Sequence, residues 1–208
     1  MEDYNYKFDN FVKNQIKDIK NPIILEFGVK EGRSTKTFLD ICRTNSGKLF
    51  SVDIDDYSKK FEDENWTFIK SRDDNFKFLD EKLPKKFDVI YLDSLHEAEH
   101  VEKIFYHYFK KLRLKGYFFI DDTSWLPYLK DQKRNNFYCE INNLETFKRI
   151  LEIFKSNYES FDLSFDFSSS GSCKILKKAE ILKPPSVIKT REISLKNFFR
   201  NIFKSMKK

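Results

Sequence analysis

An alternation in the sequence narrows the possible folds more than any other feature. Short apolar runs, most of them closed by an acid or a glycine, take turns with stretches whose apolar residues recur every three or four positions. The first run, I-I-L-E-F, follows Pro22 and ends at Gly28. K-L-F-S-V-D, Trp66 to Lys70, F-D-V-I-Y-L-D and G-Y-F-F-I-D-D come after it. Runs this short and this rich in Ile, Val and Phe have the length and composition of buried strands. Between them Ser34 to Cys42 and Phe76 to Leu83, the latter stopped by Pro84, read as helices. Val101, Ile104, Phe105, Tyr108, Phe109 and Leu112 make one helical stripe, and Phe8, Phe11, Val12, Gln15, Ile16 and Ile19 predict another at the N-terminus. Late in the chain a helix is expected over about Asn142 to Tyr158. Strands near Phe161 to Phe167 and Cys173 to Leu176 then flank a turn at Ser168 to Gly171. The fold class that follows is α/β: a doubly wound, Rossmann-like sheet of seven strands with helices on both faces and the last strand antiparallel.

With 208 residues there is room for about one domain, placed at 1–180 with an N-terminal helix over 1–20. Pro184-Pro185 marks a linker over 181–193, and 194–208 reads as a basic amphipathic helix. A hydrophobic fraction of 40%, including 23 Phe, supplies a core and excludes a wholly disordered chain. No apolar run reaches membrane-spanning length, and M-E-D-Y-N-Y-K-F-D-N lacks the basic start and apolar stretch of a secretory signal. Cys42, Cys139 and Cys173 have no metal-ligand spacing, so reduced thiols and a cytoplasmic location are expected. The net charge of +6 is misleading. Residues 174–208 hold 11 basic side chains against Glu180 and Glu192, which leaves 28 basic and 31 acidic residues in 1–173. A slightly acidic body argues against nucleic acid as a partner.

The first strand–helix turn reads Glu26-Phe-Gly28-Val-Lys-Glu-Gly32-Arg-Ser34-Thr35. It is neither the G-x-G-x-x-G of dinucleotide enzymes nor a phosphate loop with its lysine. Only five glycines occur in the chain, so Gly28 and Gly32 are expected where the backbone must turn sharply or approach a ligand. Asp53 ends the second strand, 25 residues after Gly28. A carboxylate there can accept both hydroxyls of a ribose; read alone, it is an ordinary acid at a strand end.

With these residues the sequence resembles the class I S-adenosylmethionine-dependent methyltransferases over about residues 20–180. The resemblance implies S-adenosylmethionine as cofactor. It places Glu26, Gly28, Gly32 and Ser34 around the methionine part and Asp53 at the ribose, with Asp93 also bordering the cofactor. Asp73 or Asp74, in S-R-D-D-N-F, is implied as the adenine contact.

Asp93 ends the fourth strand, and Asp121 and Asp122 end the fifth. Adjacent parallel strands bring these acids to one edge of the sheet, where they form either a Mg²⁺ site or a solvated acidic rim. His96 follows in D-S-L-H, as a proton-accepting base working with Asp93 or as a polar residue at a helix start. The set resembles metal-dependent O-methyltransferases of the catechol and macrolide-sugar types. That resemblance implies a hydroxyl acceptor on a small molecule or saccharide, with His96 as in the sugar-modifying enzymes. His96-Glu97-Ala98-Glu99-His100 also fits the zinc-hydrolase pattern H-E-x-x-H, but the extended third-histidine continuation is missing. His100 and His107 fall on or beside the helix stripe and read as structural.

Beyond Asp122 an irregular stretch runs from Thr123 to Glu140. Trp125, Tyr128, Phe137 and Tyr138 either wall the acceptor site or pack beneath the loop. At the far end, Leu195, Phe198, Phe199, Ile202, Phe203 and Met206 share a stripe beside Lys196, Arg200, Lys204 and Lys207. Such a helix can dock on its own domain, join two subunits as a homodimer, or lie on an anionic membrane at the inner face. A non-catalytic cofactor-binding or membrane-tethered scaffold stands as the alternative to the enzyme.

Overall fold

In the computed structural model the described residues are 2–126 and 137–188, with six positions further on (195, 196, 198, 199, 202 and 206). Side chains are described from residue 5, and again from 141 after the gap. Seven strands form one sheet: β1 (Ile23–Phe27), β2 (Lys48–Asp53), β3 (Trp66–Lys70), β4 (Phe87–Leu92), β5 (Leu112–Asp121), β6 (Phe161–Asp166) and β7 (Ser172–Lys177). Their order is β3-β2-β1-β4-β5-β7-β6. The first five are parallel, and β7 runs antiparallel to both β5 and β6. The expected fold class is the observed one.

The N-terminal helical segment is α1 (Glu2–Lys7), a π-helical stretch (Phe8–Lys13) and α2 (Asn14–Ile16). Its stripe works as the spacing predicts: Phe8, Val12 and Ile16 are buried, and Phe11 and Ile19 are partly so. With α3 (Arg33–Asn45), this segment covers one face of the sheet, packing Phe8, Phe38 and Tyr91 edge to face. The opposite face carries α4 (Phe76–Lys82), α5 (Ala98–Phe109) and α6 (Phe137–Asn157). There Val101, Ile104, Phe105, Tyr108 and Phe109 of α5 meet Leu25, Phe27, Ile90 and Phe118 of the strands. β1 and β4 are buried on both faces, which is why they read as unbroken apolar runs rather than as alternating ones.

Two boundaries differ most from the sequence reading. β5 starts at Leu112 rather than near Gly116, because Leu112 already pairs with Phe87 ahead of a register shift, and Lys115 takes a positive φ of 64° to absorb it. α6 starts at Phe137, which shortens the irregular stretch after β5; residues 127–136, with Tyr128, lie outside the described residues. Residues 181–188 have no regular structure and run along α6. Asn157 Nδ2 donates to the Lys183 carbonyl (2.9 Å), the Lys183 N–H donates to Asn157 Oδ1 (2.6 Å), and Lys155 Nζ donates to the Val187 carbonyl (2.8 Å). Most of 194–208 is outside the described residues, so the amphipathic helix expected there is not described as a unit. Among the described residues no helix is long and apolar enough to cross a membrane.

Candidate active site

Strand order reverses between β1 and β4. In open α/β sheets that break leaves a crevice beyond the carboxyl ends of the strands. Two hollows of about 330 Å³ each open there. Gly28, Asp53, Tyr57, Asp73 and Ser94 wall the first, and the loop 29–34 walls the second. Lys30 and Asp93 line both, so the two hollows adjoin.

The glycines answer to the protein's own packing. A Cβ on Gly28 would lie 2.0 Å from the Asp93 carbonyl oxygen, and its φ is +93°. The ends of β1 and β4 are crossed there by the Asp93 N–H donating to the Phe27 carbonyl (2.9 Å), while the Gly28 N–H reaches the Val52 carbonyl (2.9 Å). Gly32, at φ +74°, starts α3, and a Cβ there would strike Phe61. Both line a hollow, but what demands glycine is the neighbouring chain rather than a ligand.

Glu26 lies beneath the loop. It was expected beside the methionine part of the cofactor, yet it is 0% exposed and lines neither hollow. Its two oxygens accept from Ser34 Oγ (2.5 Å), Thr35 Oγ1 (2.8 Å) and Ser51 Oγ (2.7 Å). The carboxyl therefore ties the start of α3 to β2 beneath the loop. Burial pushes its pKa up to about 7 against the pull of the three hydroxyls. Ser34 spends its hydroxyl on Glu26 and still borders the second hollow.

Asp53 lies on the wall of the first hollow. Oδ2 accepts the N–H of Val29 (2.7 Å), and Oδ1 accepts the N–H of Asp55 (3.0 Å). The structure also separates the two candidates after β3. Asp73 lines the hollow, with Oδ2 accepting from Ser94 Oγ (2.5 Å) and paired with His100 Nε2 (2.9 Å). Asp74 turns outward to Arg72 (2.9 Å) and Lys103 (3.2 Å), which hold its carboxyl below the usual range, and it lines neither hollow.

His96 lines neither hollow, but its Nε2 lies 3.5 Å from Oδ1 of Asp93, which borders both, and 3.4 Å from Asp122 Oδ2. Each of the three side chains is about a quarter to a third exposed. Burial, then Asp121 and Asp122, push Asp93 well above the usual carboxylate range. The two histidines of H-E-x-x-H do not converge, since α5 begins only at Ala98: His96 faces Asp93 and Asp122 while His100 faces Asp73.

The third acid of the expected Mg²⁺ set has another partner. Asp121 is 3% exposed, and Lys7 Nζ donates to its Oδ1 at 2.5 Å. The same ammonium donates to Ser170 Oγ (3.0 Å) and to the Gly171 carbonyl (3.3 Å). Burial alone would lower the Lys7 pKa, but Asp121, Asp122 and Asp93 outweigh it and the ammonium is held above its ordinary value. A Mg²⁺ ligated by Asp121 at about 2.1 Å would sit within about 5 Å of this ammonium. At an effective dielectric constant near 20, that proximity costs about 7 kcal/mol of repulsion. The residues present therefore do not fit the three-carboxylate Mg²⁺ site expected from Asp93, Asp121 and Asp122, and among the described residues no group of three His, Cys, Asp or Glu is placed to hold a metal.

Lys7, Thr35, Ser51, Ser94 and the bonded state of His100 were not foreseen as parts of this site. The adjacent hydroxyls Ser34-Thr35 after a buried acid were a readable signal. Lys7 had none, because it reaches Asp121 across 114 positions of chain. The aromatics after β5 are partly settled: Trp125 packs on Phe147, with ring centroids 4.5 Å apart, and on Phe167 (6.0 Å). The side chains of Phe137 and Tyr138 lie outside the described residues.

With this geometry, the comparison with known proteins is direct. The fold is shared with MycE methyltransferase from the mycinamycin biosynthetic pathway, solved with Mg and SAH (TM-score 0.62, 19% identity, 86% of this chain and 53% of that one). It is also shared with SAH-bound methyltransferase PaMTH1 of Podospora anserina (TM-score 0.60, 16% identity, 85% and 86%). A Staphylococcus aureus protein described as a caffeoyl-CoA O-methyltransferase gives a TM-score of 0.61 at 19% identity, covering 81% of each chain. The chain spans about half the length of MycE. No curated protein sequence matches it significantly. The architecture is thus that of the class I methyltransferases. Residues 25–123 match the family described as Methyltransferase domain.

Proposed function

We propose that the chain transfers a methyl group from S-adenosylmethionine to a hydroxyl oxygen of a small molecule or sugar. The observation that carries this reading is the His96 imidazole within 3.5 Å of both Asp93 and Asp122, where Asp93 itself lines a hollow whose walls bear Asp53 and Asp73. Asp53 suits a ribose hydroxyl: Oδ2 already accepts the N–H groups of Val29 and Lys30, while Oδ1, which accepts that of Asp55, keeps acceptor capacity. Asp73, steadied by Ser94 and His100, suits an adenine amine deeper along the same wall. Lys30 and Asp93 border both hollows, so one elongated molecule can lie with its nucleoside in the first and its amino-acid end beside loop 29–34.

When bound, S-adenosylmethionine supplies an electrophilic methyl: the new oxygen–carbon bond forms as the carbon–sulfur bond breaks, and its electron pair leaves on sulfur. The chain's part is to orient the acceptor and take the hydroxyl proton. Nε2 of His96 faces two carboxylates, so the tautomer with hydrogen on Nε2 leaves Nδ1 as the proton acceptor. The resulting imidazolium gains from Asp93 and Asp122 together. This route is carried without Mg²⁺, because Asp121 is engaged by Lys7.

Two measurements test the reading. Calorimetry should show one equivalent of S-adenosylhomocysteine bound by the wild type and by His96→Ala. Methyl transfer from labelled S-adenosylmethionine to a panel of hydroxylated sugars and phenols should be lost in His96→Ala. Absence of nucleoside binding, or full activity in His96→Ala, would overturn it; binding with no transfer to any acceptor favours the scaffold instead.

A further inference from the structure

Three carboxylates crowded at one sheet edge need a cation, and this chain brings its own. Lys7 leaves the N-terminal helix, is 1% exposed, and is held by three acceptors from two different parts of the fold: Asp121 at the end of β5, and Ser170 and Gly171 in the β6–β7 turn. An exposed surface lysine has no such set of anchors. Burying an ammonium costs several kcal/mol unless it is paired and its remaining protons are satisfied, and here both conditions hold.

We infer that Lys7 is the resident cation of the acidic edge, occupying with one fixed positive charge the place a divalent metal would take, so that methyl transfer by this chain needs no added divalent ion. Lys7 is a positioning residue. It touches Asp121, and through Asp121 it sets the charge felt by Asp93, Asp122 and the imidazole between them. The inference rests on the methyl-transfer reading above for its meaning, but its test does not depend on activity.

The experiment is Mn²⁺ binding, followed by loss of the free-ion electron paramagnetic resonance signal, on full-length protein stripped with EDTA. Wild type, Lys7→Arg, Lys7→Met and the double variant Lys7→Met/Asp121→Asn are compared, each with saturating S-adenosylhomocysteine. Wild type and Lys7→Arg are expected to take up no stoichiometric Mn²⁺. Lys7→Met, with the acids freed, should bind one equivalent at least about tenfold more tightly than the wild type, and the double variant should lose that gain. One equivalent bound by the wild type, or none gained by a folded Lys7→Met, overturns the inference. If Lys7→Met does not fold, the wild type decides alone: saturable one-to-one Mn²⁺ binding refutes the resident cation and its absence supports it. S-adenosylhomocysteine affinity, measured in the same samples, reports separately on the functional reading, since its absence removes the methyltransferase proposal whatever Mn²⁺ does.

Discussion

Replacing Glu26 by glutamine should flatten the pH dependence of this protein's stability. The Glu26 carboxyl is fully buried, and its pKa is raised from 4.5 to about 7. The folded state therefore holds the proton more tightly than the unfolded chain does. Its stabilising contribution is complete below pH 4.5 and is lost as the pH climbs through about 7, where the native state must carry a desolvated charge. The rise from 4.5 to about 7 corresponds to about 3 kcal/mol. Glutamine has nearly the same shape, can still meet the hydroxyls of Ser34, Thr35 and Ser51, and does not titrate in this range. The assay is urea unfolding of both proteins from pH 4.5 to 8.5. The wild type should lose about 3 kcal/mol relative to Glu26→Gln over that interval, roughly 1 M in midpoint for a chain of this size. Asp93 and Asp121 also titrate in the native state, but they are common to both proteins and cancel in the difference. Parallel profiles, differing by a constant, would refute the argument and mean that the three hydroxyls stabilise the carboxylate as well as water does.

Gly28→Ala should cost about 3 kcal/mol or more in urea unfolding, because the new Cβ meets the Asp93 carbonyl at 2.0 Å on a backbone with φ +93°; an unchanged midpoint would contradict it. Asp53→Ala should weaken S-adenosylhomocysteine binding by about 10- to 100-fold in calorimetry, the loss of charge-assisted hydrogen bonds plus the orphaned N–H groups of Val29 and Asp55. Unaltered affinity would place the ribose elsewhere. Lys177→Met should destabilise by about 2–3 kcal/mol, since the buried ammonium donates to the carbonyls of Phe109 (2.8 Å) and Leu112 (2.7 Å), which close α5 onto β5 and would be left unpaired. Equal stability would show that water replaces the ammonium there.

The elements of this fold were legible because each depends on local pattern. Buried parallel strands must be apolar on both faces, so I-I-L-E-F and F-D-V-I-Y-L-D announced themselves, and α5 showed in its stripe from Val101 to Phe109. The acids at the strand ends were legible for the same reason, since a chain leaving a buried strand returns to polar surroundings at a known edge. Chain alternation thus determined the architecture and the edge where chemistry can occur. Which acid serves which purpose was decided only by tertiary contacts. Glu26 was drawn beneath its loop by three hydroxyls, one of them on a different strand; Asp73 was turned toward the hollow while Asp74 was pulled outward by Arg72 and Lys103. Asp121 received an ammonium from the N-terminal helix, 114 positions away. The physical reason is common to all three: a carboxylate's role is set by what neutralises or solvates it within a few ångströms, and those partners come from segments whose separation along the chain carries no local signature.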